Sequence, residues 1–315
     1  MKARVLVTNP LSDVALVYLQ RRCDVTVDYG LDEHGLLKKI KHFDGLIVRS
    51  ATPVRSCVLT DGVHACLRVV ATATAGYNHV NTDTARKLGI PVVYSPWGNT
   101  LANAEFIIGS MIVLARNIAR SDRYMRAGVW DQEAGIGPEL YGKVFGTIGF
   151  GRIGGLTAEK AKLLGMKVIA YDPGRPHYEF ETRGVRRVSL HTLLRQADFV
   201  SLSVPFSQRT KGLLGKKELS LMKPTAYIIQ SSRGGTIDED ALLKALSEEK
   251  IRGAAIDVFV DEPVINPLFR KMNHVVLTPH IGCSSQESRV RSGLAVARDV
   301  LSVLNGRKAT NLVPA

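Results

Sequence analysis

An arginine, a carboxylate and a histidine each follow a short apolar run late in the chain. Ala226-Tyr227-Ile228-Ile229 leads into Gln230-Ser231-Ser232-Arg233-Gly234-Gly235. Ala254-Ala255-Ile256 leads into Asp257-Val258-Phe259-Val260-Asp261-Glu262-Pro263, and Val275-Val276-Leu277 into Thr278-Pro279-His280-Ile281-Gly282. A guanidinium can grip a carboxylate through parallel hydrogen bonds. A histidine backed by a carboxylate can be an imidazolium that hands a proton to a carbonyl oxygen. Taken singly, Arg233 reads as a surface charge, Glu262 as a helix-start acid and His280 as a capped core histidine. Their shared place at the carboxyl ends of predicted strands, where ligands of open α/β sheets bind, points instead to joint work on a 2-keto acid.

Reduction of a keto acid needs a hydride donor, and the sequence offers a place for one. Gly149-Phe150-Gly151-Arg152-Ile153-Gly154 lies between an apolar run, Val144–Ile148, and a segment with helical spacing from Arg152 to Leu164. That strand-to-helix context is what a dinucleotide fingerprint requires. Gly149 allows the tight turn, Gly151 the close approach of a pyrophosphate and Gly154 the packing of helix on strand. The helix N-terminus turns its partial positive charge to the phosphates. Asp172 closes the next apolar run, 18 positions after Gly154 (172 − 154). A carboxylate there accepts ribose hydroxyls of NAD and repels the extra phosphate of NADP. Arg175 could greet that phosphate, but Asp172 stands nearer the expected position, so NAD (NADH) is favoured over NADP.

These loops need sheets to hold them. Strands are suggested at Val5–Thr8, Val25–Val27, Leu46–Val48, Arg68–Thr72 and Val92–Tyr94, with helical patterns near Asp13–Arg22, Glu33–His42 and Asn81–Leu88. Strands alternating with helices imply a parallel sheet covered on its faces. A long helical pattern then runs from Asn99 to Ala119, followed by an irregular arm from Arg120 to Tyr141. A second strand-helix series begins at Val144. Ser284-Ser285-Gln286-Glu287 reads as a helix cap, and the helix after it, to about Leu304, could return to the first domain. The expected fold class is α/β: two Rossmann/flavodoxin-like domains, doubly wound parallel sheets with a cleft between them. Residues 1–98 plus 284–315 would bind substrate, and 99–283 would bind NAD.

Composition narrows the class further. The chain has 315 residues, long for one compact core, and 45% of them are hydrophobic. The longest apolar runs are strand-length or broken by charge, so no membrane span is expected, and the N-terminus lacks the pattern of a secretory signal. Cys23, Cys57, Cys66 and Cys283 show neither CxxC pairing nor metal-ligand spacing, which suits reduced thiols in a cytoplasmic protein; no metal is expected. The net charge of +13 draws anions, but the basic residues are scattered and aromatics make up only 6%. A solvated basic surface is favoured, and nucleic acid is not an expected partner. The Asn99–Ala119 helix carries more apolar and small residues than one domain surface should expose, which suggests a homodimer through it and the arm.

The fingerprint, Ser231–Gly235, Asp257-Val258-Phe259 with Glu262-Pro263, and Thr278–Gly282 resemble, in this order and over nearly the whole chain, the D-2-hydroxyacid dehydrogenase family. Within it, Val48-Arg49-Ser50 and Arg233-Gly234-Gly235 are most similar to the phosphoglycerate dehydrogenase-like group; at 315 residues the additional regulatory domain of some such enzymes is not expected. The resemblance implies that Arg233 binds the substrate carboxylate and carbonyl, that His280 is the general acid/base and that Glu262 holds it and favours its protonated form. It implies that Asp257 meets the nicotinamide carboxamide, that Val204 and Pro205 lie against the adenosine, and that the amides of Arg152 and Ile153 meet the pyrophosphate. Ser231 and Gly282 join the cofactor-contacting set. Ser50 and the backbone amides of Ala75 and Gly76 would take the substrate carboxylate. Trp130 resembles a tryptophan that in some members reaches the other subunit's substrate pocket; core packing is an equal alternative. Gln230, Ser203, Asn78, Asn81 and Trp97 depart from the family's usual residues.

The expected function is an NAD-dependent oxidoreductase, a D-2-hydroxyacid dehydrogenase acting on a small anionic 2-keto or 2-hydroxy acid. The alternative from another class is an NAD-sensing, corepressor-like binding protein of the same fold.

Overall fold

The computed structural model describes residues 2–314. The chain divides into two compact units, one formed by Met1–Thr100 with Ser284–Ala315 and one by Leu101–Cys283.

The first unit holds five strands: β1 (Arg4–Val7), β2 (Asp24–Val27), β3 (Gly45–Val48), β4 (Val69–Thr72) and β5 (Val92–Tyr94). All pairings are parallel, in the order β2-β1-β3-β4-β5. Alternate residues of each strand serve opposite faces. Val5, Val7, Ile47, Val69, Ala71 and Val93 pack with Ala15 and Leu19 and with Val296, Ala297, Val300 and Leu301. Leu6, Leu46, Val48, Val70 and Val92 pack on the other side with Leu36, Ile40, Val58 and Leu59. The last helix, Gln286–Leu304, thus belongs to the first sheet although it follows the second in sequence. Ser285 caps it by accepting from the Ser288 amide. Its Gly293 lets it close on helix Asp13–Gln20: a Cβ there would sit 2.8 Å from the Cβ of Ala15.

The second unit holds β6 (Val144–Ile148), β7 (Lys167–Tyr171), β8 (Arg186–Arg187), β9 (Phe199–Leu202), β10 (Tyr227–Gln230), β11 (Gly253–Ile256) and β12 (Val275–Leu277). They form one parallel sheet in the order β12-β11-β10-β9-β6-β7-β8. One face packs Phe145, Phe199, Tyr227, Ile229 and Ala255 on Ile107, Met111 and Leu114 of helix Thr100–Ala115. The other packs Ile148, Val200, Leu202, Ile228 and Ile256 on Leu193, Leu194, Leu242 and Leu246.

The helix expected over Asn99–Ala119 is two helices. The first spans Thr100–Ala115 and the second, Ile118–Arg126, bends away by 62° inside the supposedly irregular arm. Asn117 makes the break, with a left-handed φ of 50° that asparagine tolerates better than most residues. Its side-chain amide donates to the Ile136 carbonyl at 2.9 Å, so the returning arm satisfies the corner. The apolar content of Thr100–Ala115 also serves a different end from the one expected. Ile107, Met111, Leu114 and Ala115 are buried against the chain's own sheet, and Ala102 and Ala104 are buried too. The exposed apolar groups lie mainly beyond it, at Ile118, Met125, Val129, Trp130, Ile136 and Tyr141. Trp130 is 75% exposed, so core packing is not its role within this chain.

Among the described residues no single helix is long and apolar enough to cross a membrane. Among the described residues none of the four cysteines is in a disulfide, and burial pushes the Cys23 thiol up to about 11, with the Asp24 carboxylate adding to the effect.

Candidate active site

The strand register of the second unit turns scattered sequence positions into one row. Leu277 pairs with Ile256, Gln230 with Ile256 and Leu202, and Ile148 with Leu202 and Tyr171. The residues that follow those strand ends are therefore, in order along the sheet edge, Thr278, Asp257, Ser231, Ser203, Gly149 and Asp172. Adjacent strands are about 4.8 Å apart, so this row spans roughly 24 Å over five gaps. The fingerprint and its acid occupy one end, and the loops that carry Arg233, Glu262 and His280 the other.

At the fingerprint end each glycine has a visible reason. Gly149 has φ 93°, and a Cβ on it would meet the Ser203 carbonyl oxygen at 2.5 Å and Val204 Cγ1 at 2.9 Å. A Cβ on Gly154 would strike the Gly149 carbonyl oxygen at 2.1 Å. At Gly151 the nearest atom is Arg175 Nη2, 3.8 Å away, so this face of the turn is open. Gly151 is also the N-cap of helix Arg152–Leu163, and as a glycine it brings no side chain of its own to the first-turn amides. Arg152 and Ile153 begin that helix. Ser203 Oγ nearby is buried without a hydrogen-bond partner. Asp172 Oδ2 accepts from the Phe150 amide at 2.8 Å and Oδ1 from the Gly174 amide at 2.9 Å, which fixes the carboxylate beside the turn. An open glycine turn at a helix N-terminus, an orphaned hydroxyl and a held carboxylate fit a dinucleotide. Val204 lines the turn through its contact position at Gly149, and Pro205 follows it at the surface.

At the other end His280 Nδ1 lies 2.8 Å from Glu262 Oε2, with the two side chains 37% and 34% exposed. Glu262 Oε1 accepts from the Phe259 amide at 3.0 Å, so both carboxylate oxygens are committed. His280 has φ 54°, a left-handed conformation held by its amide bonds to the Asp257 and Thr278 carbonyls. Asp257 is buried and holds this turn from beneath. Its Oδ1 accepts from Thr278 Oγ1 at 2.6 Å and from the Ile281 amide at 2.8 Å, and its Oδ2 from the Gly282 amide at 2.8 Å. The Gly282 amide is thus spent within the loop.

Arg233 sits on a turn built by its neighbours. Its carbonyl accepts from Gln230 Nε2 at 3.0 Å and from Thr236 Oγ1 at 2.9 Å, and Gln230 is buried. The extra methylene of Gln230, relative to the family's usual asparagine, reaches the turn directly. Arg233 Nη1 donates to the Ser232 carbonyl at 2.7 Å. A Cβ on Gly234 would overlap the Phe259 carbonyl oxygen at 1.9 Å, so the Arg233 loop lies on the residue whose amide holds Glu262. The structure brings Glu262 and His280 into contact and lays the Arg233 loop against theirs.

Two residues in this assembly have no counterpart in the sequence reading. Asn103, buried in helix Thr100–Ala115, accepts from Ser231 Oγ at 2.9 Å and donates to the Ser231 carbonyl at 3.3 Å. Ser231 is therefore held by the helix. Glu239 Oε1 accepts from the Val260 amide at 2.7 Å, next to the Phe259 amide taken by Glu262. Burial raises the Glu239 carboxyl above the usual carboxylate range against the pull of that amide, and the Asp261, Asp240 and Glu262 carboxylates raise it further.

In the first unit, Arg49-Ser50 follows β3 and Thr74-Ala75-Gly76 follows β4. The Arg49 amide donates to Asn9 Oδ1 at 2.7 Å, which pins the Ser50 loop. Among the described residues, the amides of Ala75 and Gly76 donate to nothing. Asn81 caps the next helix, accepting from the Thr84 amide at 2.9 Å, a task that an acid at this position would also perform.

Residues 108–282 match the family model described as D-isomer specific 2-hydroxyacid dehydrogenase, NAD binding domain. This chain belongs to the D-2-hydroxyacid dehydrogenase family. It is 39% identical to D-3-phosphoglycerate dehydrogenase of Methanocaldococcus jannaschii over 98% of its own length, and it spans 59% of that relative's length. It is 36% identical to the hydroxypyruvate reductase of Thermotoga maritima, covering 96% of this chain and 98% of that one. A crystal structure of a Thermus thermophilus protein superposes with a TM-score of 0.92 at 32% identity, covering 99% of this chain and 100% of that one. The family's parallel two-sheet architecture is therefore this chain's architecture.

Proposed function

We propose that this protein is an NAD-dependent D-2-hydroxyacid dehydrogenase that interconverts a small anionic 2-keto acid and its D-2-hydroxy acid. The observation that carries the reading is the 2.8 Å Glu262–His280 pair on the same sheet edge as the fingerprint and Asp172. Bound reduced nicotinamide supplies hydride to C2 of the keto acid. Arg233 binds the substrate carboxylate and carbonyl, and His280 delivers a proton from Nε2 to the carbonyl oxygen. Glu262, 2.8 Å from Nδ1, holds the ring so that Nε2 is the nitrogen left to face the substrate. Oxidation reverses each step, with neutral His280 as the base. The unit Leu101–Cys283 takes the cofactor, through Gly149, Gly151, the amides of Arg152 and Ile153, Gly154, Asp172, Val204, Pro205, Ser231 and Gly282. We assign Asp257 chiefly to holding the His280 turn, since its oxygens already accept three bonds. The other unit takes the substrate carboxylate through Ser50 and the free Ala75 and Gly76 amides.

A panel of 2-keto acids (glyoxylate, hydroxypyruvate, 3-phosphohydroxypyruvate and larger analogues) with NADH and NADPH, followed at the nicotinamide absorbance, tests the reading. Turnover of at least one is expected. No turnover, with NADH altering the affinity for a protein partner, would favour the corepressor-like alternative.

Asp172 supports NAD over NADP. Charge-assisted hydrogen bonds to ribose are worth about 1.5–3 kcal/mol. Asp172→Ala is expected to weaken NADH binding roughly 10- to 150-fold and to narrow the gap to NADPH. Unchanged dissociation constants for both would place the ribose elsewhere.

We further propose a homodimer that covers the exposed apolar residues running from Ile118 into the arm, through Trp130 and Ile136 to Tyr141. Sedimentation at micromolar concentration is expected to give a dimer. Ile136→Asp with Tyr141→Asp should shift it toward monomer, and a wild-type monomer would defeat the idea. We place the protein in a reducing, cytoplasmic compartment, since its cysteines show neither CxxC pairing nor metal-ligand spacing.

A further inference from the structure

A chain of partly buried side-chain hydrogen bonds ends on the Ala75–Gly76 loop. Thr74 Oγ1 donates to the Gly76 carbonyl at 2.6 Å. Thr72 Oγ1 lies 2.7 Å from Thr74 Oγ1, and His79 Nε2 lies 2.9 Å from Thr72 Oγ1. Thr72 is fully buried at the end of β4. The direction of this chain is forced by proton counting. A hydroxyl has one proton to give. Thr74 spends its proton on the Gly76 carbonyl, so it accepts from Thr72. Thr72 has then spent its own, so it accepts from His79. His79 therefore carries a proton on Nε2 and donates it. The Thr74 carbonyl is held as well, accepting from the Ser95 amide at 3.0 Å.

A peptide carbonyl and the following residue's amide point in opposite directions across one planar unit. The held Thr74 carbonyl therefore fixes the Ala75 amide, the held Gly76 carbonyl fixes the unit after Gly76, and the Gly76 amide can turn only between these two fixed units. We propose that His79 is a positioning residue: through Thr72 and Thr74 it holds the Gly76 carbonyl and so limits the orientation of the loop amide that receives the substrate carboxylate. The proposal rests on the assignment of the Ala75–Gly76 loop to that carboxylate.

The test is steady-state kinetics on the full chain, with the keto acid that turns over best. Four single variants are needed: His79→Leu, His79→Gln, Thr72→Val and Thr74→Val. Each removed hydrogen bond is expected to raise KM for the keto acid about 3- to 10-fold. The dissociation constant for NADH should not move, and kcat should change less than KM. His79→Gln keeps an N–H at similar reach and should restore most of the loss. The double variant His79→Leu/Thr72→Val should be no worse than either single one, because both cut the same chain. If Thr74→Val raises KM while His79→Leu does not, the loop assignment stands and the role of His79 is overturned. If none of the four changes KM in a folded protein, the carboxylate assignment of the loop fails, and the proposal with it. Additive losses in the double variant would also overturn the relay.

Discussion

His280→Asn lowers kcat for keto-acid reduction by about 10²–10⁴-fold, the range of a lost general acid, and leaves NADH affinity nearly unchanged. Asparagine is the informative replacement because His280 has φ 54°. Alanine there would add backbone strain of about 1–2 kcal/mol, and loss of activity could then reflect a distorted turn. Asparagine tolerates the left-handed region, so Asp257 can still hold the Ile281 and Gly282 amides. What is lost is the ring that faces Glu262. In the wild type, reduction needs the imidazolium as proton donor, and oxidation needs the neutral ring as base. His280→Asn should lower both rates. A variant with near-normal kcat would remove His280 from the chemistry.

Glu262→Gln sharpens the point. The Phe259 amide donates to Oε1, so a glutamine must keep its oxygen there and turn its NH₂ toward His280 Nδ1. A donor facing Nδ1 excludes a proton from that nitrogen. The imidazolium needed for reduction is disfavoured, and so is the Nδ1–H tautomer that leaves Nε2 free to act as base. Both directions should therefore lose rate, and the loss should approach that of His280→Asn.

The parts of this site that lie just after apolar runs were legible in the sequence. Buried parallel strands are short hydrophobic runs, and ligands gather at their carboxyl ends, so Gly149, Asp172, Arg233 and His280 could be placed without coordinates. The supports were not legible. Asn103 meets Ser231 across 128 positions of chain, and Glu239 meets the Val260 amide across 21. Neither pairing leaves a local pattern, because tertiary packing alone brings them together. In sequence Asn103 is one polar residue on an apolar helix, and Glu239 reads as a first-turn acid of helix Glu239–Ser247. The break at Asn117 was hidden for a related reason. Helical periodicity runs through it, and what stops the helix is the arm returning Ile136 to the Asn117 side chain. The relay from His79 to Gly76 shows the same limit: Thr72, Thr74 and His79 are close in sequence, but only the fold of the turn aligns their donors and acceptors.

Arg233→Ala is the complementary test, because it removes binding rather than proton transfer. Losing one member of a desolvated charge pair costs about 2–5 kcal/mol, so kcat/KM for the keto acid should fall roughly 30- to 5,000-fold. The loop itself should survive. Gln230 and Thr236 hold the backbone carbonyl of residue 233, which alanine retains, and Gly234 still packs on the Phe259 carbonyl. The guanidinium's present bond, to the Ser232 carbonyl, satisfies one N–H and leaves the rest of the fork for a ligand. Arg233→Lys keeps the charge but not the fork, and should recover only part of the loss. The decisive measurement compares a 2-keto acid with its uncharged amide. Wild type should prefer the acid strongly, and Arg233→Ala should lose that preference by cutting turnover of the acid far more than turnover of the amide. Equal losses on both would mean that Arg233 orders the site without gripping the carboxylate, and near-normal kinetics would take it out of the site altogether.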